Sequence, residues 1–194
     1  MKSLDEYLRD AEQAHGHLCA GQVLGVRLAM LGLQKLGIDD PQGKDRKRLV
    51  TFVEIDRCAT DAVAVVTGCR LGKRALKFRD WGKVAATFVD VNSGKAMRIA
   101  AKESSKALAC QMHPEIADKN QQQMLAYREI ADDDLFTTQW VKVELPPEEF
   151  PGYKGDRVVC EVCGEGINFR RELRRGGKVL CRACAGESYF TPLQ

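Results

Sequence analysis

Eight cysteines and three histidines hold most of the chemistry open to this 194-residue chain, and they fall into two groups. The tighter group closes the sequence: Cys160-x2-Cys163-x17-Cys181-x2-Cys184. Each CxxC sets two sulfurs on one turn, and two such pairs complete a tetrahedral Zn²⁺ site with bonds of ~2.3 Å. Four sulfurs leave no open position, so this zinc is expected to be structural rather than catalytic. Gly164 suits a knuckle turn, Gly176-Gly177 a hairpin tip, and Cys184 to Ser188 a helix start, which is the order of a treble clef. Arg170, Arg171, Arg174 and Arg175 fall on the hairpin, where a charge run is more often a solvated face than a grip on an anion or partner.

The second group is dispersed. His15-Gly16-His17-Leu18-Cys19-Ala20-Gly21 places two imidazoles and a thiol just before a helix, whose dipole favours a thiolate. Cys58 follows a strand-like run, and Asp61 lies one turn onward in a segment that reads as a helix. Junctions of this kind commonly hold anions and nucleophiles, although a lone cysteine is as readily a small buried hydrophobe. The expectation is that His17, Cys19 and Cys58 share one pocket, with His15, Asp61 and Cys69 in support. Two thiolates and an imidazole suit zinc or another borderline-soft divalent ion with one open position, or a nucleophile with a histidine base. Lys77 and Arg79 alternate with Leu76 and Phe78, which predicts a cationic strand face able to anchor an anionic substrate or, equally, to stay solvated. Cys110 and His113 have no partner nearby in sequence, and Asp132 to Asp134 reads as a turn or cap.

The elements that must position these residues read as α+β, with a small antiparallel or mixed sheet packed with helices. Ser3 to Ala14 carries a capping box (Ser3, Glu6) ahead of a stripe of Leu4, Tyr7, Leu8 and Ala11. Gln22 to Leu36 is apolar nearly all round and stops at Gly37, so it demands burial within a domain or at a subunit interface. Gly21 and Gly25 leave one of its faces bare for a close backbone approach. Strands are expected at Leu49–Ile55, Ala75–Arg79, Val84–Val91 and Trp140–Leu145, the middle two joined across Asp80-Trp81-Gly82 as a hairpin. Helices are expected at 59–68, Lys95–Ala109 and Pro114–Glu129. Residues 1–145 form the core domain, 146–155 a linker and 156–194 the finger.

Composition narrows the class. At 44% hydrophobic with 6 prolines, the chain is neither disordered nor proline-rich. No stretch reaches ~18 uncharged apolar residues, so no membrane span is expected, and the N-terminus has no signal-like apolar region. Eight cysteines without a secretory signal favour metal or thiol chemistry in a reducing cytoplasm. From Lys154 onward there are 8 basic and 5 acidic residues, whereas residues 1–153 hold 22 of each. An excess this mild does not predict a nucleic-acid binder.

HGHLCAGQVLGVRLA, the run from Glu54 through Phe88 with its CxxDAxxxxTGCxxGK motif, and the closing CEVCGE…LCRACAGESYF resemble the E-subunit family of formylmethanofuran dehydrogenase over residues 5–145, followed by a finger similar to the DksA/TraR type. The resemblance implies an α+β core forming a homodimer, with His17, Cys19, Cys58 and Asp61 at a catalytic or second metal site beside the structural zinc. It implies a link to one-carbon and molybdopterin metabolism, within a larger molybdenum or tungsten enzyme complex or alone. The alternative is a non-catalytic zinc-binding module that contacts protein or nucleic acid through its finger.

Overall fold

Ser3 opens the first helix, α1 (Leu4–His15): its hydroxyl accepts from Glu6 N at 3.3 Å while Glu6 Oε2 accepts from Ser3 N at 2.8 Å, a reciprocal capping box. Tyr7, Leu8 and Ala11 are buried, and Gly16 ends the helix at φ 95°. Such a left-handed C-cap favours glycine. The second helix, α2 (Ala20–Leu36), has eleven buried residues and so spends its apolar circumference inside its own unit. It packs on α1, on α3 (Cys58–Thr67), on α5 (Lys119–Glu129) and on the sheet. Gly25 makes this possible: a Cβ there would stand 2.5 Å from Ala59 O and 2.8 Å from the Ala62 Cβ. At Gly32 a Cβ would stand 2.2 Å from the Phe88 ring. The bare face predicted from Gly21 and Gly25 therefore receives α3.

This computed structural model describes residues 1–193 and divides into two compact units, Met1–Glu144 and Leu145–Gln194. In the first, five strands run in the order β2-β1-β3-β4-β5: β1 (Leu49–Val53), β2 (Leu76–Phe78), β3 (Ala85–Asp90), β4 (Ala96–Ala101) and β5 (Phe136–Val141). The β1–β2 pair is parallel and the others antiparallel, so the sheet is mixed and the unit α+β. Two expectations are corrected here. The Asp80-Trp81-Gly82 turn does not close a hairpin, because β1 lies between β2 and β3; Trp81 N and Lys83 N both donate to Glu54 O at the end of β1. The long helix expected at Lys95–Ala109 is half strand. Ala96, Met97 and Ala100 are good helix formers, but pairing of Met97 with Phe88 and Ile99 with Ala86 overrides propensity, and the helix α4 starts only at Ser105 (Ser105–Met112). Asp118 caps α5 by accepting from Gln121 N at 2.7 Å, and a short α6 (Asp132–Leu135) leads into β5.

Glu54, 2% exposed, accepts both guanidinium arms of Arg98 at 2.7 Å, so charge buried in the sheet is paired bidentately. Among the described residues no helix is long and apolar enough to cross a membrane.

The second unit opens on a short 3-10 turn (Pro147–Glu149) and continues as two small hairpins, β6 (Arg157–Val159) with β7 (Gly166–Asn168) and β8 (Leu173–Arg175) with β9 (Lys178–Leu180), then a helical segment kinked at Gly186, Ala183–Glu187. Gly176 and Gly177 take φ 57° and 78°, the conformation of a two-residue primed turn. Only Cys160 and Ile167 are buried among its described residues, too few to form a self-sufficient apolar core.

Candidate dithiol site and four-cysteine metal centre

In the second unit, Cys160 and Cys163 lie between β6 and β7, and Cys181 and Cys184 follow β9. Their four sulfurs all lie within 4.8 Å of one another, with Cys163 and Cys181 at 3.9 Å. A tetrahedral zinc with ~2.3 Å bonds needs sulfurs ~3.8 Å apart, so the donor set fits the ion. Cys181 N points at the Cys160 sulfur and Cys184 N at the Cys181 sulfur, each at 3.3 Å. Backbone N–H groups of Cys163 and Cys181 bring the Cys160 thiol down to about 6. Crowding by Cys181 and its neighbours pushes Cys184 up to about 12. Four sulfurs this close deprotonate together only around a cation, which is the chemistry of a closed zinc site.

In the first unit, Cys19 is the N-cap residue of α2 and Cys58 the first residue of α3. Gly21 brings them face to face: a Cβ there would sit 3.3 Å from the Cys58 Cβ and 3.7 Å from the Cys19 sulfur. The Cys58 thiol is pushed above its ordinary range by burial and by the adjoining Cys19 thiol. Cys19 makes no side-chain cap bond. Gln22, fully buried, donates from Nε2 to Cys58 O at 3.4 Å, and its Oε1 has no hydrogen-bond partner among the described residues. Asn120 of α5 accepts from Ala20 N at 3.0 Å and so caps α2 from a distant part of the chain.

His15 and Asp61 join across α1 and α3, with Nδ1 to Oδ2 at 2.8 Å, and the His17 ring lies 4.8 Å from that of His15. His15, Asp56, Arg57, Cys58, Thr60 and Asp61 line an open cleft of about 380 Å³. The structure thus joins Cys19 to Cys58 and His15 to Asp61. His17 is exposed and does not form a preassembled three-ligand cluster with the two thiols: among the described residues the four cysteines of the second unit are the one such group.

Cys69 is placed elsewhere. It lies beyond the C-terminal end of α3, eleven residues on from Cys58 and separated from it by the ~15 Å length of that helix, where Thr51 Oγ1 donates to its sulfur at 3.5 Å. Burial raises its thiol, and it serves as core. Lys77 is 8% exposed within β2, whereas Phe78 is 39% exposed, so the alternation expected from sequence is not followed. Arg79 Nη1 donates to Phe78 O at 3.0 Å and its guanidinium stacks 5.3 Å above Phe52. Asp132 is taken by Arg27, at 2.5 Å. Sequence reasoning missed Gln22 and Asn120. A glutamine in the otherwise apolar stretch from Ala20 to Val26 was a usable signal for the first, but nothing local marks Asn120.

Residues 14–137 match the family model described as FmdE, molybdenum formylmethanofuran dehydrogenase operon, which spans well over half of the chain. The chain belongs to the FmdE family. Residues 153–190 match the prokaryotic dksA/traR C4-type zinc finger, which covers all four clustered cysteines. A probable S-adenosyl-L-methionine-binding protein of Archaeoglobus fulgidus is 30% identical over 96% of this FmdE-family chain. The match takes in 54% of that relative, so the chain spans about half its length. A tungsten formylmethanofuran dehydrogenase FmdE-like protein from Syntrophus aciditrophicus has the same fold, with a TM-score of 0.65 over 98% of this chain and 96% of that one, at 23% identity.

Proposed function

We propose that this FmdE-family protein is a metal- and thiol-dependent enzyme or accessory subunit of one-carbon, molybdopterin-linked metabolism, with the Cys19–Cys58 pair as its working centre. The second unit serves as a treble-clef zinc finger whose metal is structural. One observation carries the reading: two thiols from different helices meet at those helices' N-termini across a glycine. Burial and the adjoining Cys19 thiol hold Cys58 in its protonated form. The pair is therefore asymmetric, with Cys19 as nucleophile or first metal donor and Cys58 as proton donor or second. Asp61 holds His15 through Nδ1, which fixes the ring's tautomer and leaves Nε2 to accept a proton. The donor set suits a soft divalent ion in two positions, and the His15-Gly16-His17 loop offers an imidazole once it moves about Gly16. Such an ion would supply Lewis acidity at an open coordination position.

The same reading includes a homodimer, an anionic substrate, and docking to a larger molybdenum or tungsten enzyme. The name of the Archaeoglobus relative makes S-adenosyl-L-methionine the first small molecule to titrate. Metal analysis of the purified full chain tests the centre. Two metals per chain are expected, falling to one in a Cys19→Ser/Cys58→Ser variant; one metal in the wild type, unchanged in the variant, contradicts it.

A further inference from the structure

A cleft of about 360 Å³ opens between the Gly82–Val84 segment, the end of β4 and the start of α4, within the size range of small-molecule sites. Its floor is apolar, with Leu24, Val84 and Ala101, and Tyr127 closes the back, 1% exposed. Three lysines, Lys83, Lys102 and Lys106, stand around it against a single carboxylate, Glu103. That carboxylate pairs with Lys106 at the surface, where both side chains are more than half exposed and an ion pair is weak. Lys102 Nζ donates to the Asp133 carbonyl, which orients the ammonium without cancelling its charge. Lys83 lies 5.9 Å over the ring of Trp81, itself 61% exposed. Ser105, 2% exposed, donates to Lys102 O at 2.7 Å and so pins the start of α4 to the end of β4. The result is an apolar slot with a cationic rim, one of whose ammonium groups lies over Trp81.

We propose that this cleft binds a small organic anion, a phosphate or carboxylate carried on an apolar or aromatic body, and presents it to the Cys19–Cys58 pair. The ammonium groups meet the charge, and the apolar floor takes the body, while Trp81 senses occupancy through Lys83. The second half of the proposal rests on the thiol reading above. Leu24, a wall of the cleft, lies three residues or ~4.5 Å along α2 from Gly21, which abuts both cysteines. Lys83, Lys102 and Lys106, rather than Lys77 and Arg79, then anchor the substrate's charge.

Phenyl phosphate is a suitable probe, because it joins a dianion to an aromatic ring. Trp140→Phe leaves Trp81 as the one tryptophan, and its fluorescence reports the titration of the zinc-loaded full chain. Saturable binding is expected, with Kd raised at least tenfold in Lys83→Ala/Lys106→Ala, raised by salt, and unchanged in Lys35→Ala. These lysines are exposed, so folding is not at stake. Absence of saturation, or a Kd indifferent to Lys83 and Lys106, overturns the cleft. Site-resolved mass spectrometry of iodoacetamide labelling, on chain holding zinc in the second unit alone, tests the link: bound probe should slow alkylation of Cys19 or Cys58 several-fold while Cys110 reacts unchanged. Lysine-dependent binding without that protection overturns the link. Retention of probe binding in Cys19→Ser/Cys58→Ser, together with an unchanged metal count, locates the failure in the thiol reading alone.

Discussion

The two cysteine clusters of this chain differ in how their geometry is assured. In the second unit the donors are local: each CxxC is one turn, and two short hairpins suffice to bring four sulfurs within 4.8 Å. In the first unit the two thiols come from the starts of two helices 39 residues apart, and they meet only because Gly21 and Gly25 let α2 and α3 approach closely. A site made by ligand spacing is stable through its metal, whereas a site made by helix packing is stable through the core behind it. The first kind is closed and structural. The second keeps an exposed side, as a reactive centre needs.

The largest effect should come from removing the metal's share of folding. Cys163→Ser, or chelation, should unfold the second unit while leaving the first folded, because structural zinc contributes ~10–16 kcal/mol of apparent binding free energy in small fingers. Amide exchange resolved along the chain reads this directly, and loss of protection in both units together would break the contrast. Next comes the packing beneath the thiols. Gly25→Val must displace α3, since a Cβ already meets Ala59 O at 2.5 Å, and should cost the core about 1–3 kcal/mol or more in denaturant. An unchanged midpoint would show that α2 and α3 do not hold the pair together.

The same comparison explains what was legible in the sequence. Ser3 and Glu6 announce α1 because caps are local chemistry, and the four-cysteine spacing announces its own ligand set for the same reason. The close approach at Gly21 and Gly25 was also readable, as a missing side chain. What failed depended on distant partners. Ala96 to Ala101 looks helical until β3 and β5 are present to pair with it. Lys77 looks like one of a cationic row, yet β2 pairs in parallel with β1 and buries it. His17 and His15 cannot be ranked from HGH alone, because the preference for His15 is set by Asp61 of α3.

A smaller effect is expected from pH. Burial raises the Cys69 thiol, and burial with the Cys19 neighbour raises that of Cys58. A group whose folded value lies above its unfolded one contributes stability below the unfolded value and loses it as pH rises through the folded one. Core stability should therefore hold to about pH 8.5, the free thiol value, and fall above it. Denaturant midpoints for the wild type and Cys69→Val between pH 7 and 10 check the sign: the variant should fall less. The smallest effect is predicted for Asp61→Asn. Its carboxylate is 60% exposed, so the denaturant midpoint should report a stability change of no more than about 1 kcal/mol; a larger loss would show that the His15–Asp61 bond holds α1 to α3.

The centre of this account is that the chain holds two sulfur sites of different kinds, and anomalous scattering from crystals of the zinc-loaded full chain tests it most directly. The prediction is two metal peaks per chain: one enclosed by Cys160, Cys163, Cys181 and Cys184, the other within bonding distance of both the Cys19 and Cys58 sulfurs, about 2.3 Å. A map with the first peak alone, at full zinc occupancy, would contradict it.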